Sequence, residues 1–547
     1  MQQGMLFHSI SGQGDGAAAS DLYIQQLSCR LRGALRPEAF QAAWEAILRR
    51  HTILRTAFAW RGLPEPLQVV GEQVRMPLEL LDWTDLPAEL QAEQLRTLTV
   101  AERLAGFDLG RAPLLRLKLI RLASELHQFV WTWHHVILDA WSVPLILDEL
   151  FAGYEAALAG TPLQLEPARP YKDFVAWQRA QDPAAAERFW RRNLAGFQET
   201  TPLGIDDIAR GTSTSGSGYG LDFLEVPEEE VEALRETARR SRLTLNTLVQ
   251  GAWALLLGRY SGRDDVLFGT AVAGRPPELA GVERMVGLLI NTLPVRVRLS
   301  PDALVGEWLD ELQRLQVETR RYEHSPLIDV QGWSEVPRGT QLFDSLLVFE
   351  NAPLDLQRLR GGSLELIDYD FVERANFPLT VMMEVRTRSK VGVGYDLRRF
   401  DRPSMLRMLR HLRTLLGQLS GDPQRTLRQL DYLTDDERRE LVEQWSRGPA
   451  PLPPRSTEAP IARLFEAQAA ATPDAPAATF APESGEEVTL TYAQLNAQAN
   501  RVARRLQTLG VGAEERVVIA AGASMARLIA ILGVMKAGAA YVPLDPA

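Results

Sequence analysis

Two adjacent imidazoles with a carboxylate close behind, in His134-His135-Val136-Ile137-Leu138-Asp139, are the side chains of this chain best suited to moving a proton. A neutral imidazole offers one N–H and one lone pair near pH 7, and a nearby carboxylate can orient the ring or anchor a cation. The flanking residues say how such groups are held. From His127 to His135 the chain alternates as a strand does. Phe129, Trp131, Trp133 and His135 fall on one face and Val130, Thr132 and His134 on the other, so the two imidazoles face opposite ways. Downstream, Ser142 reads as a helix N-cap, and Ile146, Leu147, Leu150, Phe151, Tyr154 and Leu158 recur at helical spacing. At such a strand-to-helix junction one ring can face a cavity while its neighbour and Asp139 brace the turn. Spacing alone names no reaction, since a histidine dipeptide is more often structural than catalytic.

Composition sets the bounds. The 547 residues are 46% hydrophobic and 24% charged, as in ordinary soluble globular proteins, and are enough for about three or four domains. A formal net charge of −10, without clusters of Lys and Arg among aromatics, argues against nucleic acid as a partner. Cys29 is the single cysteine, which excludes an intrachain disulfide and suits a reducing compartment, so a cytoplasmic location is expected. No basic region followed by an apolar core opens the chain, and its most apolar stretch, 517–544, is interrupted by Arg527 and Lys536; neither a signal peptide nor a membrane span is expected. His51 and His324 lack ligand company such as HxxxH or CxxC, so no metal site is expected.

The elements that must position the histidines are legible in outline. Pro37 to His51 reads as an amphipathic helix with Phe40, Ala43, Trp44, Ile47 and Leu48 along a core-facing stripe. A Gly/Ser-rich run from Gly211 to Gly220 reads as a surface loop. Beyond it come a strand at Leu221–Val226, helices at Pro227–Arg240 and Thr244–Tyr260, and strands at Val266–Val272 and Leu293–Leu299. Strands alternating with helices in two successive halves imply an α/β protein of paired lobes. Five prolines between Pro449 and Pro460 mark a semi-rigid linker, after which a different domain begins.

HHxxxDAWS resembles the HHxxxDG signature of nonribosomal peptide synthetase condensation domains, and further segments follow in that family's order. These are Arg50–Phe58, Tyr171–Trp177, Val286–Arg296, Tyr322–Leu327 and Phe343–Asn351. Met1–His8 resembles the middle of the family's first motif, so the chain is expected to start inside it. Leu490–Asn496 and Met535–Asp545 resemble the first two motifs of amino-acid adenylation domains; Ala547 comes before that family's phosphate loop, and this piece is expected to be unable to activate an amino acid. The resemblance implies two chloramphenicol-acetyltransferase-like lobes in a V, with the histidine motif at their interface. The implied divisions are 1–180 and 181–440 for the lobes, 441–460 for the linker, and 461–547 for the start of the adenylation domain. It further implies a monomeric section of a multimodular chain. The expected partners are an upstream donor carrier domain, a downstream acceptor carrier domain and the module's own adenylation domain. No cofactor is expected to be bound by this chain; by the resemblance, the acyl groups would arrive on 4′-phosphopantetheine arms.

The implied reaction is attack by the amine of a downstream aminoacyl thioester on an upstream peptidyl thioester. A free α-amine has a pKa of about 7.7–8, so a useful fraction is neutral at pH 7, and demand for a strong base is modest. Holding both reactants in attack geometry lowers a barrier by roughly 7–11 kcal/mol. A positioned acid or base contributes about 10²- to 10⁴-fold, so positioning is the larger effect. The motif assigns His135 to hydrogen-bond the attacking amine, with or without taking its proton. His134 and Asp139 complete the candidate catalytic constellation, His134 read as structural and Asp139 as either catalytic or, the favoured reading, a buried brace that needs a charged partner. Arg275, in the Gly-Arg loop the family places there, is the first candidate for that partner, with Arg296 and Arg55 in reserve. Ala140, Trp141, Ser142, Asn291 and Ser345 are the candidate lining of the substrate tunnel, with core packing or capping the equal alternative for Asn291 and Ser345.

Ala140 departs from the family's glycine, either narrowing the tunnel beside His135 or, in a left-handed backbone, costing roughly 1–2 kcal/mol. The opening and the Phe343–Asn351 segment resemble condensation domains that often accept a donor ending in a D-residue. Dual epimerisation/condensation domains carry an extra HH[I/L]xxxxGD, and His8 to Asp15 lacks its second histidine and is one residue short. The competing readings are a catalytically altered condensation-like docking module and an epimerisation domain. Epimerisation domains have a Ser-Trp pair after the Asp, where this chain has Trp141-Ser142, and are not followed by adenylation sequence. Heterocyclisation domains replace the first histidine with Asp, which His134 excludes.

Overall fold

The computed structural model describes residues 1–11, 22–205, 218–350, 362–374, 376–385, 388–445, 460–481 and 487–545. Most of the Gly211–Gly220 run, residues 446–459 of the expected linker, and residues 12–15 of the His8–Asp15 segment lie outside the described residues. The chain divides into two compact units, Met1–Arg438 and Arg439–Ala547.

Among the described residues the first unit holds, beside the short antiparallel pair Thr56–Ala59 with Leu67–Val70, two large sheets. One has five strands in the order Glu365–Val372, Ile24–Arg32, Leu126–His134, Leu115–Ala123 and Leu78–Asp82, antiparallel except for the last pair. The other has six, in the order Tyr219–Val226, Ser389–Asp396, Leu379–Glu384, Ser345–Glu350, Asp265–Val272 and Asn291–Arg298. The helix Pro37–Arg50 buries its expected stripe, Phe40, Ala43, Trp44, Ile47 and Leu48, against the first sheet, where Trp44 meets Trp131 edge-on at 5.1 Å. Helix Leu245–Ser261 is apolar almost all round and buried, so no hydrophobic stripe sets its face; Thr244 caps its start by accepting from Thr247 N.

The alternation in Leu126–His134 does not separate a wet face from a dry one, because the whole strand is buried. Phe129, Trp131 and Trp133 enter the core; Thr132, on the opposite face, accepts from Gln26 Nε2 at 2.9 Å, and Gln26 in turn bonds Thr99 and Arg103 of the covering helix Ala88–Leu104. A polar residue turned inward is thus paired, as burial demands.

Two segments from beyond residue 180 cross into the first lobe. Strand Glu365–Val372 pairs antiparallel with Ile24–Arg32, and the stretch 279–289 places Leu279, Val282, Met285, Val286, Leu288 and Leu289 in the first lobe's core. Both crossings end beside the histidine motif. Strand pairing across more than 300 residues leaves no mark in local periodicity.

The second unit carries helices Ile461–Ala471, Tyr492–Thr508 and Met525–Lys536, the hairpin Pro476–Phe480 with Val488–Thr491, and the parallel pair Arg516–Ala520 with Ala540–Leu544. A capping box, Thr491 with Gln494, starts its longest helix. Among the described residues no helix is long and apolar enough to cross a membrane.

Candidate active site

The strand ends at His134, one residue before the expected limit, and His135 N donates to Tyr23 O at 2.7 Å. The chain then turns before helix Ser142–Ala159. Ser142 is not the N-cap. Trp141 holds that position without a side-chain bond, and Asp139 Oδ1 reaches forward to accept from Ser142 N at 2.9 Å. The carboxylate takes over the capping role, which leaves the Ser142 hydroxyl within 2.7 Å of Asp139 Oδ1 and 3.0 Å of the Gly287 carbonyl, where it also accepts from Gly287 N. Ser142 is fully buried and does not line the cavity.

Asp139 is completely buried, and its second oxygen accepts from Leu289 N at 3.0 Å, Ile290 N at 3.4 Å and Arg275 Nη1 at 3.1 Å. Arg275 also donates to Met285 O at 3.1 Å, and its guanidinium lies 5.2 Å from the Trp141 ring centre. The pair is almost dry, with the Arg275 side chain 5% exposed. The two reserve arginines are occupied elsewhere: Arg296 bonds Asp265, and Arg55 bonds Leu48 O and Gly71 O. Gly274 lets this loop approach closely. It has φ +60°, and a Cβ there would stand 1.7 Å from Leu289 O.

The two imidazoles do face apart. His134 Nδ1 accepts from Val136 N at 3.1 Å, and its Nε2 lies 3.3 Å from Ser9 Oγ, so both nitrogens are engaged within the protein. Burial, with the neighbouring His135 adding to it, pushes the His134 pKa down to about 3. In the unfolded chain this ring titrates near 6.5, so between about 6.5 and 3 the unfolded state binds a proton that the folded state refuses. Its contribution to stability is therefore whole above pH 6.5 and shrinks as pH falls. Denaturant titrations of parent and His134→Gln between pH 7 and 5 should show the parent losing stability more steeply, by up to about 1.4 kcal/mol per pH unit.

His135 faces a cavity of about 2400 Å³ lined from both lobes. Its Nδ1 lies 2.7 Å from Leu138 O, an acceptor only, so Nδ1 carries the hydrogen and Nε2 is turned to the cavity. Glu373 Oε1 stands 3.4 Å from that Nε2. Ala140, Trp141, Arg275 and Asn291 also line the cavity. Asn291 is fastened there, its Nδ2 donating to Glu323 O at 2.8 Å and Ser325 O at 2.7 Å. Ser345 is buried and does not line it. In strand Ser345–Glu350, Leu346, Val348 and Phe349 line the cavity, while Ser345 and Leu347 are turned away from it.

Among the described residues, those that are left-handed apart from glycine are Tyr23, Arg242 and Glu514, and Ala140 is not one of them. The strain alternative is thereby removed, leaving a methyl group on the cavity wall. Ala140→Gly is expected to keep turnover within a few fold; a rise from none to full activity would contradict this placement.

His51 bonds Glu149 at 2.7 Å, and His324 meets Trp177 edge-on at 5.9 Å. Among the described residues no group of three or more His, Cys, Asp or Glu is placed to hold a metal. Sequence reasoning passed over Glu373 and Gln25, which reach the site through strand pairing. It also passed over the Leu138 carbonyl, whose part no residue type reveals.

Two α/β lobes around one histidine-bearing cavity define a chloramphenicol-acetyltransferase-like protein. Residues 1–442 match the family model of the Condensation domain, and residues 465–547 that of the AMP-binding enzyme. The chain belongs to the condensation-domain family of nonribosomal peptide synthetases and runs into the start of an AMP-binding domain. It is 41% identical over its whole length to a linear gramicidin synthase of Brevibacillus parabrevis, of which it spans 7%. A four-domain nonribosomal peptide synthetase bound to AMP and glycine shares its fold, with a TM-score of 0.68 at 18% identity, covering 100% of this chain and 41% of that one. The X-domain solved in complex with OxyB from teicoplanin biosynthesis aligns with a TM-score of 0.63 at 25% identity, over 79% of this chain and 95% of that one.

Proposed function

We propose that this chain forms peptide bonds: the amine of a downstream aminoacyl-carrier thioester attacks an upstream peptidyl-carrier thioester beside His135. The observation that carries this reading is the His135 ring, pinned through Nδ1 to Leu138 O with Nε2 turned into a cavity that both lobes line. Such a ring can accept a hydrogen from the attacking nitrogen without first reorienting. Asp139, Ser142 and Arg275 tie the turn that bears it to the crossing loop, which fits them as braces. Residues 1–180 and 181–440 then serve as the lobes, 441–460 as the linker, and 461–547 as the start of the adenylation domain. The partners of this reading are the donor and acceptor carrier domains and the module's adenylation domain. The carriers' 4′-phosphopantetheine arms bring substrate to a cytoplasmic enzyme.

The test is single-turnover transfer between separately loaded donor and acceptor carriers, read by intact mass. The acceptor should gain the mass of the donor acyl group, across a small matrix of D and L donors. Inversion of an α-carbon without transfer would support epimerisation instead. Neither transfer nor inversion would leave the docking reading.

A further inference from the structure

Glu373 reaches the cavity at the end of a hydrogen-bond chain that makes its Oε1 an acceptor. Trp133 Nε1 can only donate, and it donates to Gln25 Oε1 at 2.8 Å. The Gln25 amide must therefore present its NH₂, which donates to Glu373 Oε1 at 2.7 Å. Gln25 and Trp133 face each other across paired strands and are both buried, so the amide is locked. Val372, pairing with Gln26, sets Glu373 beside it. Glu373 Oε1 is thus an acceptor, and it stands 3.4 Å from Nε2 of His135, whose hydrogen is committed at Nδ1. Both residues line the cavity. A carboxyl oxygen and a nitrogen lone pair converging at that distance suit a substrate group that can donate two hydrogens at once. A primary amine can; an ester, a thioester or a hydroxyl cannot.

We propose that Glu373 is a second substrate-contacting group, a carboxylate that holds the α-amine of the acceptor beside His135 and offsets the positive charge its nitrogen gains during attack. This rests on the peptide-bond reading. The neutral amine forms the N–C bond while the carbonyl π pair moves to oxygen, leaving the nitrogen cationic between Nε2 and Oε1. His135 Nε2 takes one proton from that nitrogen. The oxygen's pair re-forms C=O, the C–S bond breaks with its pair on sulfur, and the imidazolium returns the proton to the thiolate. Glu373 remains a carboxylate throughout.

The test is calorimetric titration of the full chain with alanyl pantetheine amide and propionyl pantetheine amide, unreactive probes that differ by the amine alone. The parent should bind the alanyl compound about tenfold more tightly, the worth of one charge-assisted hydrogen bond. Glu373→Gln keeps an oxygen to accept from Gln25 and should reduce the preference to less than about twofold, leaving propionyl binding unchanged. In transfer assays the same variant should raise the half-saturating acceptor concentration and spare that of the donor. Equal binding of the two probes by the parent, or an amine preference untouched in Glu373→Gln, would overturn the proposal. Failure of the peptide-bond reading looks different: the amine preference and its loss in Glu373→Gln persist while the parent transfers no acyl group.

Discussion

His135→Ala should slow dipeptidyl-thioester formation about 10²- to 10⁴-fold, the range of a positioned proton-transfer group, while the protein stays folded. The structural cost is small. The ring makes one short bond, to Leu138 O, and its loss is worth about 1 kcal/mol. Residual turnover should remain well above the reaction in solution, because the cavity still confines both arms and confinement is the larger contribution. Single-turnover rates on loaded carriers, beside a thermal melt of the same sample, separate the two effects. A variant as fast as the parent would remove His135 from the chemistry.

Arg275→Ala is expected to cost about 3–5 kcal/mol of stability, because it leaves the buried Asp139 carboxylate without its cation. The loss should appear as a lower denaturant midpoint and, since the crossing loop would no longer be tied to the histidine turn, as a fall in transfer rate. Arg275→Lys keeps the charge and should recover only part of both, since an ammonium cannot bond Asp139 and Met285 O in the same fork geometry. Arg296→Ala is the control. It breaks a different ion pair, with Asp265, and should destabilise without the selective loss of transfer. Equal effects on transfer from both substitutions would mean that Arg275 contributes only general stability.

What was legible in the sequence was local. The stripe from Phe40 to Leu48, the strands at 221–226, 266–272 and 293–299, and the opposite facing of His134 and His135 follow from periods of 3.6 and 2, and the elements lie within a few residues of those limits. The Asp139–Arg275 contact spans 136 residues, and only the resemblance pointed to it. Ser142 and Ser345 were assigned to the cavity wall by motif position, yet the reach of Asp139 turns one into a buried cross-link and strand register turns the other inward. Glu373 was missed because strand Glu365–Val372 joins a sheet built mainly from the first 134 residues, a pairing that neither composition nor period announces.

The account depends on both carrier arms reaching one imidazole. The most direct measurement loads a chloroacetamide-terminated pantetheine arm on the donor carrier or on the acceptor carrier and maps the alkylated residue by peptide mass spectrometry. Labelling of His135 from either carrier is predicted, with chloride displaced by Nε2. Labelling from only one carrier, or of residues outside the cavity, would contradict it.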